Sequence, residues 1–280
     1  MKRNGFFIIF FLWVFILLSL FCFGLGFRTY LEVKKTKLLL NRSRAYFLAS
    51  SGVRLASVIL DKDDTLIDNL SEDWARLVEE KVVFMHPKNK GKILLRIEDE
   101  SARVNINKID SIIIGKLFQY LEINDWEVKA NCVSDYIDSN NRAEQLNSFD
   151  SDKDVKNSSI SVPEELMLVK NFSHKDYKKI KDYITVFTAD NKININTAKK
   201  EVLEVLLDSD KKEDVFGVRF NENSQKKFYT GDMILPDPQM FKVFSNVFRV
   251  TIDSEVDEIK KKVTCIIKRD SNEILYWNEE

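Results

Sequence analysis

The longest apolar stretch of the chain runs from Phe6 to Phe27 and contains no charged residue. As an α-helix rising ~1.5 Å per residue it would be about 33 Å long, enough to cross a hydrocarbon core of roughly 30 Å. The segment before it carries only positive charges, Lys2 and Arg3, so we expect that end in the cytoplasm and the remainder outside it. Two alternatives stay open. One is an ordinary signal anchor, and the other is a cleaved secretory signal cut near Gly26, although its apolar core would be unusually long.

The helical pattern continues beyond the apolar stretch. Apolar and small residues recur at three- and four-residue spacing as far as Leu60, and most basic residues fall between them. We therefore predict one helix whose first half, residues 6–27, lies in the membrane and whose second half, residues 28–60, packs on a folded domain. The alternative is a membrane anchor and a separate core helix, with a break near Gly24 and Gly26.

Strand-like segments lie on either side of a long helical region. Alternating or β-branched segments occur within residues 61–107 and again within 241–280, whereas residues 108–240 are rich in helical periodicity and loops. An amino-terminal helix packed on an antiparallel sheet is the economical arrangement. The predicted class is α+β, with a large, mainly α-helical domain, residues 108–240, inserted between the strands of a β domain formed by residues 61–107 and 241–280.

One short sequence is repeated inside the chain. R-V-N-I-N-K, from residue 103, is echoed by K-I-N-I-N-T-A, from residue 192, and a candidate helix follows each copy. The Ile or Val of each copy should enter the core as a short strand, and Asn107 or Thr197 should cap the next helix. We predict a structural role, and no catalytic role, for Asn105 and Asn194.

Charge and composition narrow the range of functions. The chain has 43 Lys and Arg against 44 Asp and Glu, a net charge of −1, whereas proteins that bind nucleic acid by neutralising phosphates carry a basic excess. His86 and His174 lie outside any metal-binding spacing, and there is no serine-hydrolase, phosphate-loop or Cys–His motif. We therefore expect neither an enzyme nor a nucleic-acid-binding protein. Cys132 and Cys265 could pair in an oxidising compartment or remain buried thiols.

Five sequence segments, which follow one another over nearly the whole chain, carry a family resemblance by their order and spacing. They are R-A-Y-F-L-A-S-S-G-V-R-L-A, I-E-D-E-S-A-R-V-N-I-N, V-S-D-Y-I-D-S-N-N-R-A-E, I-N-I-N-T-A-K-K-E-V-L and F-R-V-T-I-D. Together they resemble the K-type minor pseudopilin family of the type II secretion pathway. The resemblance implies a type IV pilin-like fold that carries a large inserted helical domain. The chain departs from the family at residues 49–52, where A-E-A-G is common, and at Arg142, where Gly is common.

The resemblance gives the amino terminus a specific meaning. In such proteins a prepilin peptidase cuts after the glycine between a short basic leader and the apolar helix, here Gly5, and methylates the new terminal residue, here Phe6. Residues 1–5 would then be the leader. Most pilins carry Glu at the fifth position after the cut, where this chain has Phe10, and the lack of that Glu is typical of the K subunit. Because a carboxylate in lipid is costly without a partner, a subunit that lacks it need not pair with the subunit below.

Members of the family can bind calcium in the inserted domain. The corresponding hard oxygen ligands here are Asp135, Asp138, Asn140 and Glu144. Three further candidates, if their loop folds back, are Asp150, Asp152 and Asp154. The spacing does not match an EF-hand loop, so an acidic, solvated loop is the favoured alternative. The resemblance requires no cofactor, and calcium stays a candidate ligand.

The resemblance also implies a location and partners. The protein would cross the inner membrane once, with its C-terminal domain in the periplasm. It would initiate and cap the pseudopilus, the filament that drives export of folded proteins across the outer membrane. Its partners would be the I-type and J-type minor pseudopilins, the major pseudopilin filament and the prepilin peptidase. The alternatives are a minor pilin of a type IV pilus and a single-pass anchored periplasmic binding protein.

Overall fold

The computed structural model describes residues 3–79, 83–86, 91–138, 156–221, 227–231 and 233–280. Its longest element is one amino-terminal helix. This helix, α1, spans Arg3–Asp61 and has 59 residues. At ~1.5 Å per residue it is about 89 Å long. The prediction of one continuous helix is confirmed, and Gly24 and Gly26 do not break it.

The two halves of α1 have opposite surroundings. Every side chain from residue 6 to residue 40 is exposed, and the helix is long and apolar enough to cross a membrane, with a mean hydropathy of 3.0 over an 18-residue window. From Asn41 onward one face is buried, and Ala45, Ala49 and Ala56 are each 0% exposed. Small residues on that face let the helix backbone lie close to the strands beneath it.

The remaining elements are short by comparison. The helices are α2 (Asp73–Glu79), α3 (Ser111–Tyr120), α4 (Trp126–Ile137), α5 (His174–Ile180), α6 (Lys200–Leu206) and α7 (Ser209–Arg219). The strands are β1 (Val83–His86), β2 (Gly91–Asp99), β3 (Val104–Asn105), β4 (Ile184–Thr185), β5 (Ile193–Asn194), β6 (Phe241–Lys242), β7 (Val247–Val256), β8 (Ile259–Lys268) and β9 (Ile274–Glu279).

Five of these strands form one antiparallel sheet in the order β1-β2-β7-β8-β9. β2 pairs with β7 along its whole length, from Gly91 opposite Val256 to Asp99 opposite Phe248. Side chains of a strand alternate between its two faces, and every second residue of β2 is buried. These residues, their neighbours on β7 and β8 and the buried face of α1 share one hydrophobic core. The predicted α+β class, a long helix on an antiparallel sheet, is confirmed.

A second hydrophobic core lies in the region that the chain forms after it leaves β2 at Asp99 and before it returns at Val247. Within this inserted region β3 pairs with β4 and β5 pairs with β6, both in parallel. Strand pairing therefore places residues 104–105 and 241–242 in the inserted region, although the prediction assigned them to the β domain. The boundaries at 107/108 and 240/241 stay predictions, and the pairing favours the end of β2 and the start of β7 instead.

The inserted region leaves the sheet at the end farthest from the membrane segment. The hydroxyl of Ser254 donates to the backbone carbonyl of Ala45 (2.9 Å), whereas Ile252 lies against Gly52, further along α1. Moving along β7 from Val256 towards Val247 therefore follows α1 away from its apolar half. The inserted region therefore begins and ends at the end of the sheet that lies farthest from the apolar half of α1.

Gly52 marks a close approach of α1 to β7 and provides a test of this packing. A Cβ atom at Gly52 would lie 3.0 Å from Cδ1 of Ile252. We therefore expect Gly52→Val to lower the free energy of unfolding by about 1–3 kcal/mol through overpacking, measured by urea unfolding of the full chain in detergent. The exposed neighbour Ser51 provides the control, because Ser51→Val should change stability by less than about 0.5 kcal/mol. Equal stability of the two variants would contradict the close approach.

Candidate functional site

A set of polar side chains joins the inserted region to the sheet. We name it the junction cluster, and its members are Asp68, Asp99, Asn194, Ser245 and Arg269. They come from five parts of the chain: the segment before α2, the end of β2, β5, the link between β6 and β7, and the turn after β8. The four members other than Arg269 are buried, and the side chain of Arg269 is 9% exposed. The cluster therefore fixes the inserted region to the sheet from inside the protein.

Asp99 is the acceptor at the centre of the cluster. One carboxylate oxygen accepts from the hydroxyls of Thr197 (2.5 Å) and Ser245 (2.6 Å) and from the amide of Asn194 (2.9 Å). The other oxygen accepts from the backbone amide of Ser101 (2.7 Å). Burial raises the pKa of Asp99, and these donors oppose the rise. The donors satisfy an otherwise costly buried carboxylate, so removing any of them should loosen the junction.

Asp68 and Arg269 form the charged half of the cluster. The Arg269 guanidinium donates to the carboxylate of Asp68 and lies 3.3 Å from that of Asp63, and it covers the ring of Phe248 at 4.5 Å from the ring centroid. The backbone amide of Ser245 donates to the other oxygen of Asp68 (2.6 Å). Burial raises the pKa of Asp68 to about 7, although Arg269 and the Ser245 amide act in the opposite direction.

A group of three acids next to the cluster has the spacing of a metal site. Asp63, Asp68 and Glu72 bring carboxylate oxygens within 4.8 Å of one another. Arg269 already pairs with Asp63 and Asp68, and Glu72 accepts from the indole nitrogen of Trp74 (2.8 Å). Because a cation and neutral donors already hold these acids, we assign the group a structural role.

The repeated sequence predicted from the chain is also a structural repeat. Asn105 on β3 donates to the hydroxyl of Thr188 (2.9 Å), and Asn194 on β5 donates to that of Ser245 (3.1 Å). Each hydroxyl lies four residues after the first residue of the strand that pairs with its Asn. Each Asn also accepts from the backbone amide two residues later, at 3.0 Å in both copies. The predicted structural role of both residues agrees with these contacts.

The second Asn of each copy holds a distant segment. Asn107 exchanges two hydrogen bonds with the backbone of Ile160, both 2.8 Å. Asn196 exchanges two with the backbone of Tyr229, of 2.9 and 2.6 Å. In each copy the amide side chain of this Asn therefore bonds both the backbone N–H and the backbone carbonyl of one buried residue, as a neighbouring strand would.

The prediction that Asn107 or Thr197 caps the following helix is wrong. The capping residue must directly precede the first helical residue, and both lie further upstream. Asp110 caps α3 by accepting from the amide of Ile112 (2.7 Å). No side chain caps α6, and Thr197 donates to Asp99 instead.

The predicted leader residues lie at the start of α1. Gly5 is in its first turns, and Phe6 and Phe10 are 70% and 55% exposed. Phe6 and Phe10 lie one helical turn apart and present apolar surface along one side of the helix. Cleavage after Gly5 and methylation of Phe6 stay predictions.

Two of the four predicted calcium ligands can be located. Asp135, on α4, is 6% exposed, and one of its carboxylate oxygens has no hydrogen-bond partner within the described part of the chain. Asp138 directly follows α4. Asn140 and Glu144 lie outside the described residues, as do Asp150, Asp152 and Asp154. A buried, unpartnered carboxylate oxygen fits a calcium ligand, so calcium binding through Asp135 stays a prediction.

The two cysteines that could have paired are separate. Cys132 lies in the core of the inserted region and Cys265 in the core beneath α1, and the two do not form a disulfide. Burial raises the pKa of both thiols, that of Cys265 to about 12, so neither is a reactive thiolate near neutral pH.

A long, partly apolar helix laid on an antiparallel sheet is a type IV pilin-like arrangement, and the apolar half of the helix is compatible with a single-pass membrane anchor. No protein-family model matches the sequence. The type II secretion system protein K of Pseudomonas aeruginosa is 25% identical over 254 residues, which cover 80% of this chain and 75% of that protein. The chain is therefore similar over most of its length to a K-type component of the type II secretion system.

A solved structure gives independent support for the fold. A chain of the GspK–GspI–GspJ complex from the type 2 secretion system of enterotoxigenic Escherichia coli matches with a TM-score of 0.66 at 19% identity. The match covers 88% of this chain and 99% of that chain. At this identity the likeness shows the fold alone, and that fold includes the inserted region.

The raised pKa of Asp68 predicts a pH dependence of stability. The pKa of Asp68 is about 7 in the folded protein, whereas the carboxyl of an unfolded chain has its ordinary pKa of 3.8. This contribution to stability is full below about pH 4 and is lost as the pH rises to about 7. Asp68→Asn stays neutral and should remove the resulting slope, which is at most about 1.4 kcal/mol per pH unit.

Urea unfolding of the full chain in detergent between pH 5 and pH 7.5 measures the slope. The exposed Asp214 provides the control, because Asp214→Asn should keep the slope of the unmodified protein. An unchanged slope in Asp68→Asn would show that Asp68 titrates normally in the fold.

Proposed function

We propose that this protein is a minor pseudopilin at the tip of the type II secretion pseudopilus. It initiates and caps the filament that drives export of folded proteins across the outer membrane. The observation that carries the proposal is the kinship with protein K of the type II secretion system over 80% of the chain. The role is mechanical, and the proposal includes no catalytic step and no nucleic acid.

The partners proposed are the I-type and J-type minor pseudopilins. The matching K-type chain was solved in a complex with GspI and GspJ, and this chain has the same fold over most of its length. The proposal extends to the major pseudopilin filament, into which the apolar half of α1 would pack, and to the prepilin peptidase that would process the leader.

The position of the inserted region supports a place at the tip. It leaves the sheet at the membrane-distal edge, and the junction cluster attaches it there by hydrogen bonds and an ion pair. A further subunit stacked above the sheet would meet this region. The apolar Phe10 supports the same place, because the subunit has no carboxylate there for a downward pairing within the membrane.

The orientation proposed is a single inner-membrane span with the C-terminal domain in the periplasm. The apolar half of α1 is compatible with such an anchor. Lys2 and Arg3 precede the span, but six Lys and Arg follow it between residues 28 and 44. Because basic residues after a span oppose export of that side, the orientation rests on the family and not on the charge count.

Two other functions would fit the same anchor. A minor pilin of a type IV pilus would share the fold and the leader, and a periplasmic binding protein would share only the anchor. Processing of the leader distinguishes a pseudopilin or a minor pilin from a periplasmic binding protein. The choice of partner then distinguishes the pseudopilin from the minor pilin.

Processing of the leader is the first test. In cells with a prepilin peptidase, intact mass should show loss of the first five residues and a methylated Phe6, and both should be absent without the peptidase. Gly5→Val should block the cut because the peptidase requires the small residue before it. Gly26→Val is the matched control and should be processed normally, since a Cβ at Gly26 has no atom within 4 Å. A cut near Gly26, or an intact Met1, would refute the proposal.

The same preparations show which assembly the protein joins. The processed full chain, co-expressed with I-type and J-type minor pseudopilins and purified in detergent, should form a stable complex with both. A complex with minor pilins of a pilus system and none with the secretion proteins would favour the pilus alternative. Processing without any complex would refute the tip role and leave a processed, membrane-anchored protein.

A further inference from the structure

The shaft carries a cluster of positive charge directly beyond the apolar segment. Arg28, Lys34, Lys35 and Lys37 follow Phe27, with Glu32 as the one acid between residues 28 and 44. We name these four residues the basic collar. Their side chains are exposed, and within the described part of the chain they form no ion pair.

If the apolar segment spans the membrane, Arg28 lies within the layer of lipid headgroups, and the backbone of Lys34, Lys35 and Lys37 lies just beyond that layer. At ~1.5 Å per residue, Arg28 to Lys37 lie about 2–15 Å beyond Phe27 along the helix axis, and the headgroup layer is roughly 5–7 Å thick on each side of the hydrocarbon core. Long lysine side chains can extend back towards that layer. Tyr30, which is 61% exposed, stands where aromatic side chains favour the interface.

The charge of the chain is strongly asymmetric. Of its 43 Lys and Arg and 44 Asp and Glu, eight basic residues but one acidic residue lie in the first 44 positions, so the rest of the protein is net negative. An anionic surface would attract the collar and repel the globular domain. The charge distribution therefore favours an upright subunit, with only its shaft at the membrane surface.

The collar covers one side of α1. Successive residues of an α-helix are separated by about 100°, so Lys34, Lys35, Lys37 and Arg28 cover about half of the helix circumference. Because lipid headgroups surround a spanning helix, they can contact this side at any rotation of the helix about its axis.

We propose that the basic collar binds the phosphate groups of anionic phospholipids in the leaflet that faces the globular domain. This binding would hold the subunit at a fixed depth and oppose its withdrawal from the membrane. It would also give a reason for basic residues on the side of a span where they oppose export. The inference requires only that α1 crosses the membrane, and it does not depend on the proposed role at the tip.

The test measures which lipids gather around the full chain. The protein is reconstituted in phosphatidylcholine nanodiscs that contain a trace of dansyl-phosphatidylglycerol or, separately, dansyl-phosphatidylcholine. Energy transfer from tryptophan to dansyl is measured for each, since Trp13 lies within the apolar segment. The unmodified protein should give a transfer ratio of phosphatidylglycerol to phosphatidylcholine clearly above one. The ratio should fall to one at about 1 M salt, where the screening length is about 3 Å.

Variants locate the effect. Lys34→Gln/Lys35→Gln/Lys37→Gln should reduce the ratio to near one. Lys108→Gln/Lys116→Gln/Lys175→Gln, which changes three exposed lysines of the inserted region, should keep the full ratio. Circular dichroism of each variant checks that the fold is intact. A ratio of one in the unmodified protein, or an unchanged ratio in the collar variant, would overturn the proposal and leave an acidic protein surface as the partner of the collar.

Discussion

The packing of the outer half of α1 against the sheet is the contact on which the rest of the structure depends. The same helix is exposed along its apolar first half and buried along one face from Asn41 to Leu60. Ala45, Ala49 and Gly52 keep the helix close to β7, so the sheet is built directly onto the helix whose apolar half is long enough to cross a membrane. Any movement of the membrane segment along its axis is therefore carried to the sheet without a flexible linker.

The junction cluster extends this rigid path to the inserted region. The two hydrophobic cores share no residue. Asp99 ends β2 of the sheet, and its carboxylate accepts from Asn194 and Ser245 of the inserted region. Breaking a buried, fully bonded polar group leaves its partners unsatisfied and is costly. The inserted region is thus attached to the sheet by buried hydrogen bonds and not by a flexible link alone.

Local patterns predicted the elements, but not the contacts between them. The uncharged run from residue 6 predicted the apolar half of α1, an apolar run predicted β2, and alternation predicted β7. The prediction that Asn107 and Thr197 cap the following helices was wrong, because the repeated strand sequence does not determine where the next helix begins. The junction cluster was missed because its members come from five separate parts of the chain, which only the folded structure brings together. One signal was present: Asp99 falls in the buried register of Ile93, Leu95 and Ile97.

The central claim is that α1 is one unbroken rod from the membrane to the sheet, and a distance across its glycines tests it most directly. Spin labels on the native, exposed Cys22 and on Ser51→Cys can be measured by double electron–electron resonance in nanodiscs, because Cys132 and Cys265 are buried. A continuous helix predicts one narrow distribution near 43 Å at ~1.5 Å per residue. A broad or clearly shorter distribution would place a hinge at Gly24 or Gly26 and contradict the account.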